Sequence, residues 1–97
     1  MTSSGPAIIA LIIEALSDGG LSGGLPKILS EELIMEMILG TISLIKENQL
    51  TPSELKNLVT SPGGTTISAL RVLEKKSVRS ALIESIVSAS NRSKEFN

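Results

Sequence analysis

Hydrophobic positions along this chain recur at helical spacing. From Ala7 to Ile13 the residues are apolar without interruption, and only Glu14 and Ser17 make a polar edge, the pattern of a helix enclosed on several sides. A hydroxyl cap at Ser3 or Ser4, with Pro6 in the first turn, sets its start, and Gly19–Gly20 is its expected stop. After a turn rich in Gly and Ser, a second helix is predicted from near Pro26 to about Asn48. On a wheel at about 100° per residue, Glu32, Glu36, Gly40, Ser43 and Glu47 share one narrow stripe, which leaves an apolar arc of roughly 240°. A surface helix needs an arc of only about 100°. This helix is therefore predicted to lie between its own domain and a second apolar surface; the alternative is a central helix in a monomeric bundle.

Thr51-Pro52-Ser53-Glu54 reads as a capping box that opens a short third helix ending near Val59. Beyond a Gly-rich loop, a fourth helix carries Ile67, Leu70 and Leu73 on one face. Ser77 is expected to cap a last helix with Val78, Leu82, Ile86 and Ala89 facing inward, before a polar tail from Asn91 to Asn97. Nowhere do β-branched residues alternate with polar ones over a strand length. The fold class read from the pattern is all-α: a helical bundle of about five helices, forming a single domain over residues 1–97.

Composition turns that bundle into an expected dimer. Ile, Leu and Val account for 30 of the 97 residues, more aliphatic side chain than so small a sphere covers. The surplus predicts a partner surface, most simply on a second copy of the chain. No membrane is expected, because the longest apolar stretch, Pro6 to Leu16, is shorter than the roughly 20 residues of a spanning helix and contains Glu14. Nor does the N-terminus read as a signal peptide, since no Lys or Arg precedes the apolar run. The lack of Cys is compatible with a reducing cytoplasm.

Several chemistries are excluded outright. With no Cys and no His there is no disulfide, thiol nucleophile, zinc-finger-type site or imidazole acid/base. Phe96 is the sole aromatic residue and the net charge is −1, which argues against a nucleic-acid partner. Charge is unevenly divided, however: residues 1–50 carry two bases against six acids, a net of −4, and residues 51–97 carry seven against four, a net of +3. The division is read either as solvated helix faces or as a mildly electropositive half suited to an anionic small ligand.

One segment has the features of an anion site. In Ser61-Pro62-Gly63-Gly64-Thr65-Thr66 two glycines let a ligand approach the backbone, three hydroxyls are available, and a helix begins with its unpaired N–H groups and positive dipole end. A carboxylate or phosphate could dock there. The alternative is a plain glycine turn leading into a Thr-capped helix. Neither this loop nor Gly19-Gly20 with Gly23-Gly24 has the spacing and context of a P-loop or dinucleotide fingerprint. Glu31, Glu32 and Glu36 lack an evident third metal ligand, Met35 and Met37 read as gap-filling core, and Arg71, Lys75, Lys76 and Arg79 read as solvated surface.

The run from Val59 through the Ser-Pro-Gly-Gly-Thr-Thr segment to Ile67, Leu70-Arg71-Val72-Leu73-Glu74 and Arg92-Ser93-Lys94-Glu95 closely resembles the C-terminal domain of pyrroline-5-carboxylate reductases. So do Ser4-Gly5-Pro6-Ala7, Asp18-Gly19-Gly20 and Gly24-Leu25-Pro26. The family usually has Gly where Ser3 stands and Tyr where Ile8 stands. The resemblance implies reduction of 1-pyrroline-5-carboxylate to L-proline with NADH or NADPH, the last step of proline biosynthesis, by a two-domain cytoplasmic enzyme. In such an enzyme the helical domain interlocks with a second subunit as a homodimer and sometimes assembles further. The dinucleotide domain is expected to be absent from this chain, which would bind no cofactor and be inactive alone. At the matching positions, Ser61, Gly63, Gly64, Thr65 and Thr66 would hold the substrate carboxylate, and the Thr66 hydroxyl would act in catalysis near the ring nitrogen. A different class stays open beside it: a non-enzymatic, all-helical homo-oligomerisation module whose Gly/Thr loop is structural.

Overall fold

The computed structural model describes residues 3–60 and 64–95. They form five helices and, among the described residues, no strand: α1 (Gly5–Ser22), α2 (Lys27–Glu47), α3 (Pro52–Val59), α4 (Thr65–Lys75) and α5 (Val78–Glu95). The all-α expectation holds. Two of the expected boundaries do not.

Helix α1 runs through Gly19–Gly20 and stops at Ser22, because the residue that can turn the chain is Gly24, at φ +100°. Gly24 N–H donates to the Leu21 carbonyl at 2.9 Å and Leu25 N–H to the Gly20 carbonyl at 3.0 Å, closing a Schellman-type end. At 18 residues α1 is long and apolar enough to cross a membrane by length and composition alone, where the sequence pattern indicated a shorter stretch.

Helix α5 likewise absorbs most of the expected polar tail, continuing through Asn91 to Glu95. It begins differently from expectation too. Ser77 sits at φ +61°, and its carbonyl, not its hydroxyl, organises the turn, accepting from Ala81 N–H at 3.0 Å and from the Ser80 hydroxyl at 3.3 Å.

Contacts divide the chain into two compact units, Gly5–Thr51 in one and Met1–Ser4 with Pro52–Asn97 in the other. In the first unit α1 and α2 pack as an antiparallel-type hairpin around small residues. Ser30 is 1% exposed and donates its hydroxyl to the Ser17 carbonyl at 2.7 Å, while a Cβ on Gly20 would collide with that same hydroxyl. The second unit contains α3, α4 and α5, and the last two are joined by the tight turn at Lys76–Ser77.

Among the described residues no hydrophobic side chain is buried. The apolar arc of α2 stays open, with Ile28 at 72% and Leu39 at 68% exposure, and on α1 Leu11 is 64% exposed. A soluble monomer rarely leaves contiguous apolar surface of this kind uncovered. The wheel of α2 therefore describes a face that this chain alone does not cover.

Candidate functional site

Helix α4 begins at the predicted loop. Gly64 is its N-cap, in an extended conformation (φ −84°, ψ 177°) with no side-chain cap hydrogen bond. The first turn closes when Ser68 N–H donates to the Gly64 carbonyl at 3.3 Å. Helical geometry therefore leaves the N–H groups of Thr65, Thr66 and Ile67 without intrahelical acceptors, at the positive end of the helix dipole. The cap is Gly64, so the Thr-capped alternative read from the sequence does not describe this helix. Thr65 is exposed, and Thr66 and Gly64 are half-buried. Ser61 and Gly63, together with Pro62, lie outside the described residues.

The chain enters the loop from a helix end that is itself fastened: the Thr60 hydroxyl donates to the Lys56 carbonyl at 2.6 Å. Gly64, Thr65 and Thr66 thus form a short arc of backbone donors with two adjacent hydroxyls. Chemically this arrangement can receive an oxyanion and place a hydroxyl beside it.

Two further features were not legible in the sequence. Between α3, α4 and α5 lies a cavity of about 400 Å³ with Leu70, Leu73, Val78, Leu82 and Ile83 among its walls, and Lys56, Glu74 and Arg79 also line it. Arg79 pairs with Glu74 at 3.2 Å, both side chains more than half exposed, so the basic run of the sequence is partly neutralised on the surface. A second, smaller cleft of about 130 Å³ lies between α1 and α2, lined by Glu14, Ser17, Asp18 and Leu21 on α1 and by Lys27 and Glu31 on α2. The signal that could have pointed to the hairpin was the spacing of Ser17 and Gly20 on one face of α1, opposite the lone small residue Ser30 early in α2.

Five helices with open apolar faces place the chain in the class of all-helical association domains. Comparison with known proteins narrows the class. Residues 1–96 match the family described as pyrroline-5-carboxylate reductase dimerisation, and the chain belongs to that family. Pyrroline-5-carboxylate reductase of Synechocystis sp. is 50% identical over 96 residues, covering 99% of this chain and 36% of that protein. The Arabidopsis thaliana protein of the same name is 44% identical over 97 residues, covering 100% of this chain and 35% of its own length. Among solved structures, Plasmodium falciparum pyrroline carboxylate reductase with NADP bound superposes with a TM-score of 0.91 at 35% identity, covering 95% of this chain and 35% of that one. The pyrroline-5-carboxylate reductase of Coxiella burnetii gives a TM-score of 0.88 at 41% identity, over 95% of this chain and 34% of that one. The chain thus spans little more than a third of the relatives it matches.

Proposed function

We propose that this chain is the C-terminal dimerisation and substrate-binding domain of an NAD(P)H-dependent pyrroline-5-carboxylate reductase, a cytoplasmic enzyme that reduces 1-pyrroline-5-carboxylate to L-proline. The observation that carries the reading is the family match over residues 1–96. The open apolar faces of α1 and α2 support the dimer, because a second copy would cover what this copy leaves exposed. Dimers of this kind can associate further through the remaining surface. Covering by a second copy, rather than by lipid, also suits α1, whose Glu14 and Asp18 would otherwise sit in or near hydrocarbon.

In this reading the N–H groups of Thr65 and Thr66, with Ser61 and the Gly63–Gly64 backbone, bind the substrate carboxylate at the start of α4. That anchor fixes the ring, and the Thr66 hydroxyl, half-buried in the first turn, lies toward the imine nitrogen and holds the proton it gains. The chain's contribution is positioning and electrostatics. The described residues include no strand, and so no strand–turn–helix cradle for a dinucleotide pyrophosphate. The hydride is the nicotinamide's to supply, and its site is assigned to a part of the enzyme that these residues do not form.

Titration of the 97-residue chain with L-proline, followed by amide chemical shifts, tests the carboxylate site. Shifts concentrated at Gly64, Thr65 and Thr66 are expected. Saturating proline with no shift at these amides, in a chain that dimerises, would favour the non-enzymatic association module.

A further inference from the structure

The cleft between α1 and α2 is polar and unbalanced. Three carboxylates, Glu14, Asp18 and Glu31, line it against one ammonium, Lys27, a net of −2. None of the four is within ion-pair distance of an opposite charge among the described residues. Ser17 lines the same cleft at 3% exposure, and its enclosed hydroxyl has no hydrogen-bond partner, whereas the neighbouring Ser30 hydroxyl is satisfied by the Ser17 carbonyl. A buried polar atom left unpaired marks a place where a polar group is missing, and the three carboxylates beside it call for a donor.

What kind of donor follows from size and charge. At about 130 Å³ the cleft falls well below the roughly 300 Å³ at which small-molecule sites begin, so it fits the head of a side chain and not a metabolite. Among the described residues no group of three or more His, Cys, Asp or Glu side chains is arranged to hold a metal ion. A planar cation with several N–H donors meets both demands, since its head is small enough for the cleft and its donors can bridge carboxylates.

We propose that this cleft is an interaction site for an arginine of a second copy of the chain, and that the arginine is Arg71. The choice of occupant rests on charge complementarity: residues 1–50 carry a net −4 and residues 51–97 a net +3. Within the basic half, Arg79 is paired with Glu74 and Arg92 has a partner of its own, whereas Arg71 is exposed and makes no hydrogen bond or ion pair among the described residues. Arg71 also follows Leu70 on α4, and Leu70 is a wall of the apolar cavity that a second copy would cover. In a two-fold dimer the pairing forms twice, which gives each copy's acidic half a specified place on the other's basic half. The inference rests on the dimer proposed above and adds the contact that orients it.

The test is a double-mutant cycle on the 97-residue chain, with the dimer dissociation constant measured by sedimentation equilibrium and helicity checked for each variant. Glu31→Gln with Asp18→Asn, and separately Arg71→Gln, are each expected to weaken the dimer about tenfold, with no additional loss when combined. The charge exchange Glu31→Arg with Arg71→Glu is expected to recover most of the loss caused by either change alone, which a merely misfolded variant would not do. A wild-type dimer whose dissociation constant is indifferent to these charges, or whose single effects simply add, overturns the pairing and leaves the dimer standing. A wild-type chain that is monomeric at micromolar concentration overturns the dimer and the pairing together.

Discussion

Ser30 on α2 donates its hydroxyl to the carbonyl oxygen of Ser17 on α1 at 2.7 Å, and both residues are buried. The bond is possible only because the two helices approach closely, and they do so where Gly20 has no side chain. Two adjacent glycines of α1 consequently have opposite roles. A Cβ at Gly19 meets nothing within 4 Å, whereas one at Gly20 collides with the Ser30 hydroxyl.

Gly20→Ala is therefore expected to destabilise the chain by about 1–3 kcal/mol through overpacking, despite the better helix propensity of Ala. Gly19→Ala is expected to stabilise it by about 0.5–1 kcal/mol, the ordinary gain in a helix interior. Urea unfolding at fixed protein concentration checks both signs. Equal effects at the two positions would contradict the close approach of α1 and α2.

Ser77 closes α4 with a positive φ of 61°, in the left-handed region that an L side chain enters at a cost of about 1–2 kcal/mol. Its hydroxyl makes no hydrogen bond among the described residues, so nothing in its side chain offsets that cost. Ser77→Gly should raise stability by about 1 kcal/mol, read as a higher unfolding midpoint with unchanged slope in urea. Ser77→Val should lower it by more than that.

Leu39 is 68% exposed within one chain, so its replacement by Asp should scarcely alter the internal packing of a single copy. If α2 is an interface helix, the same change removes an apolar anchor and places a charge against an apolar surface. Leu39→Asp is expected to weaken the dimer by about 2 kcal/mol or more, measured by sedimentation equilibrium. The unfolding midpoint of the unmodified chain should also rise with protein concentration, as it does whenever association stabilises the folded state.

Thr66 carries the chemical part of the proposal. In a complete reductase Thr66→Ala is expected to reduce kcat about a hundredfold, the loss typical of removing one preorganised donor. Thr65→Ala, which keeps the backbone N–H and removes an exposed hydroxyl, should change kcat little. Steady-state kinetics on the two variants separate a role for the hydroxyl from a role for the helix terminus.

Much of the fold was legible in the chain's pattern because helices are written locally. The capping sequence at Thr51–Glu54 and the β-region cap at Pro26 start helices where expected, and α2 keeps the predicted span within a residue at each end. The surplus of aliphatic residues foretold an open apolar surface, and the structure leaves Ile28, Leu39 and Leu11 exposed accordingly. The Gly-Thr segment announced the start of α4, although its cap is Gly64 and not a threonine.

What the pattern could not decide were the choices among equivalent local signals. Four glycines lie between residues 19 and 24, and any of them can end a helix; Gly24 does so because the Schellman hydrogen bonds close there, while Gly20 is held helical against Ser30. The last polar residues, from Asn91 onward, read as a tail but continue α5, since nothing there forbids helical dihedrals. The Ser30–Ser17 bond and the acidic cleft beside it join residues on different helices, 13 positions apart in the case of the bond. Helical periodicity determines which residues share a face, because its hydrogen bonds reach only about four residues along the chain. Which turn of one helix meets which turn of another is settled by close packing, and packing depends on shapes that exist only once both helices are formed.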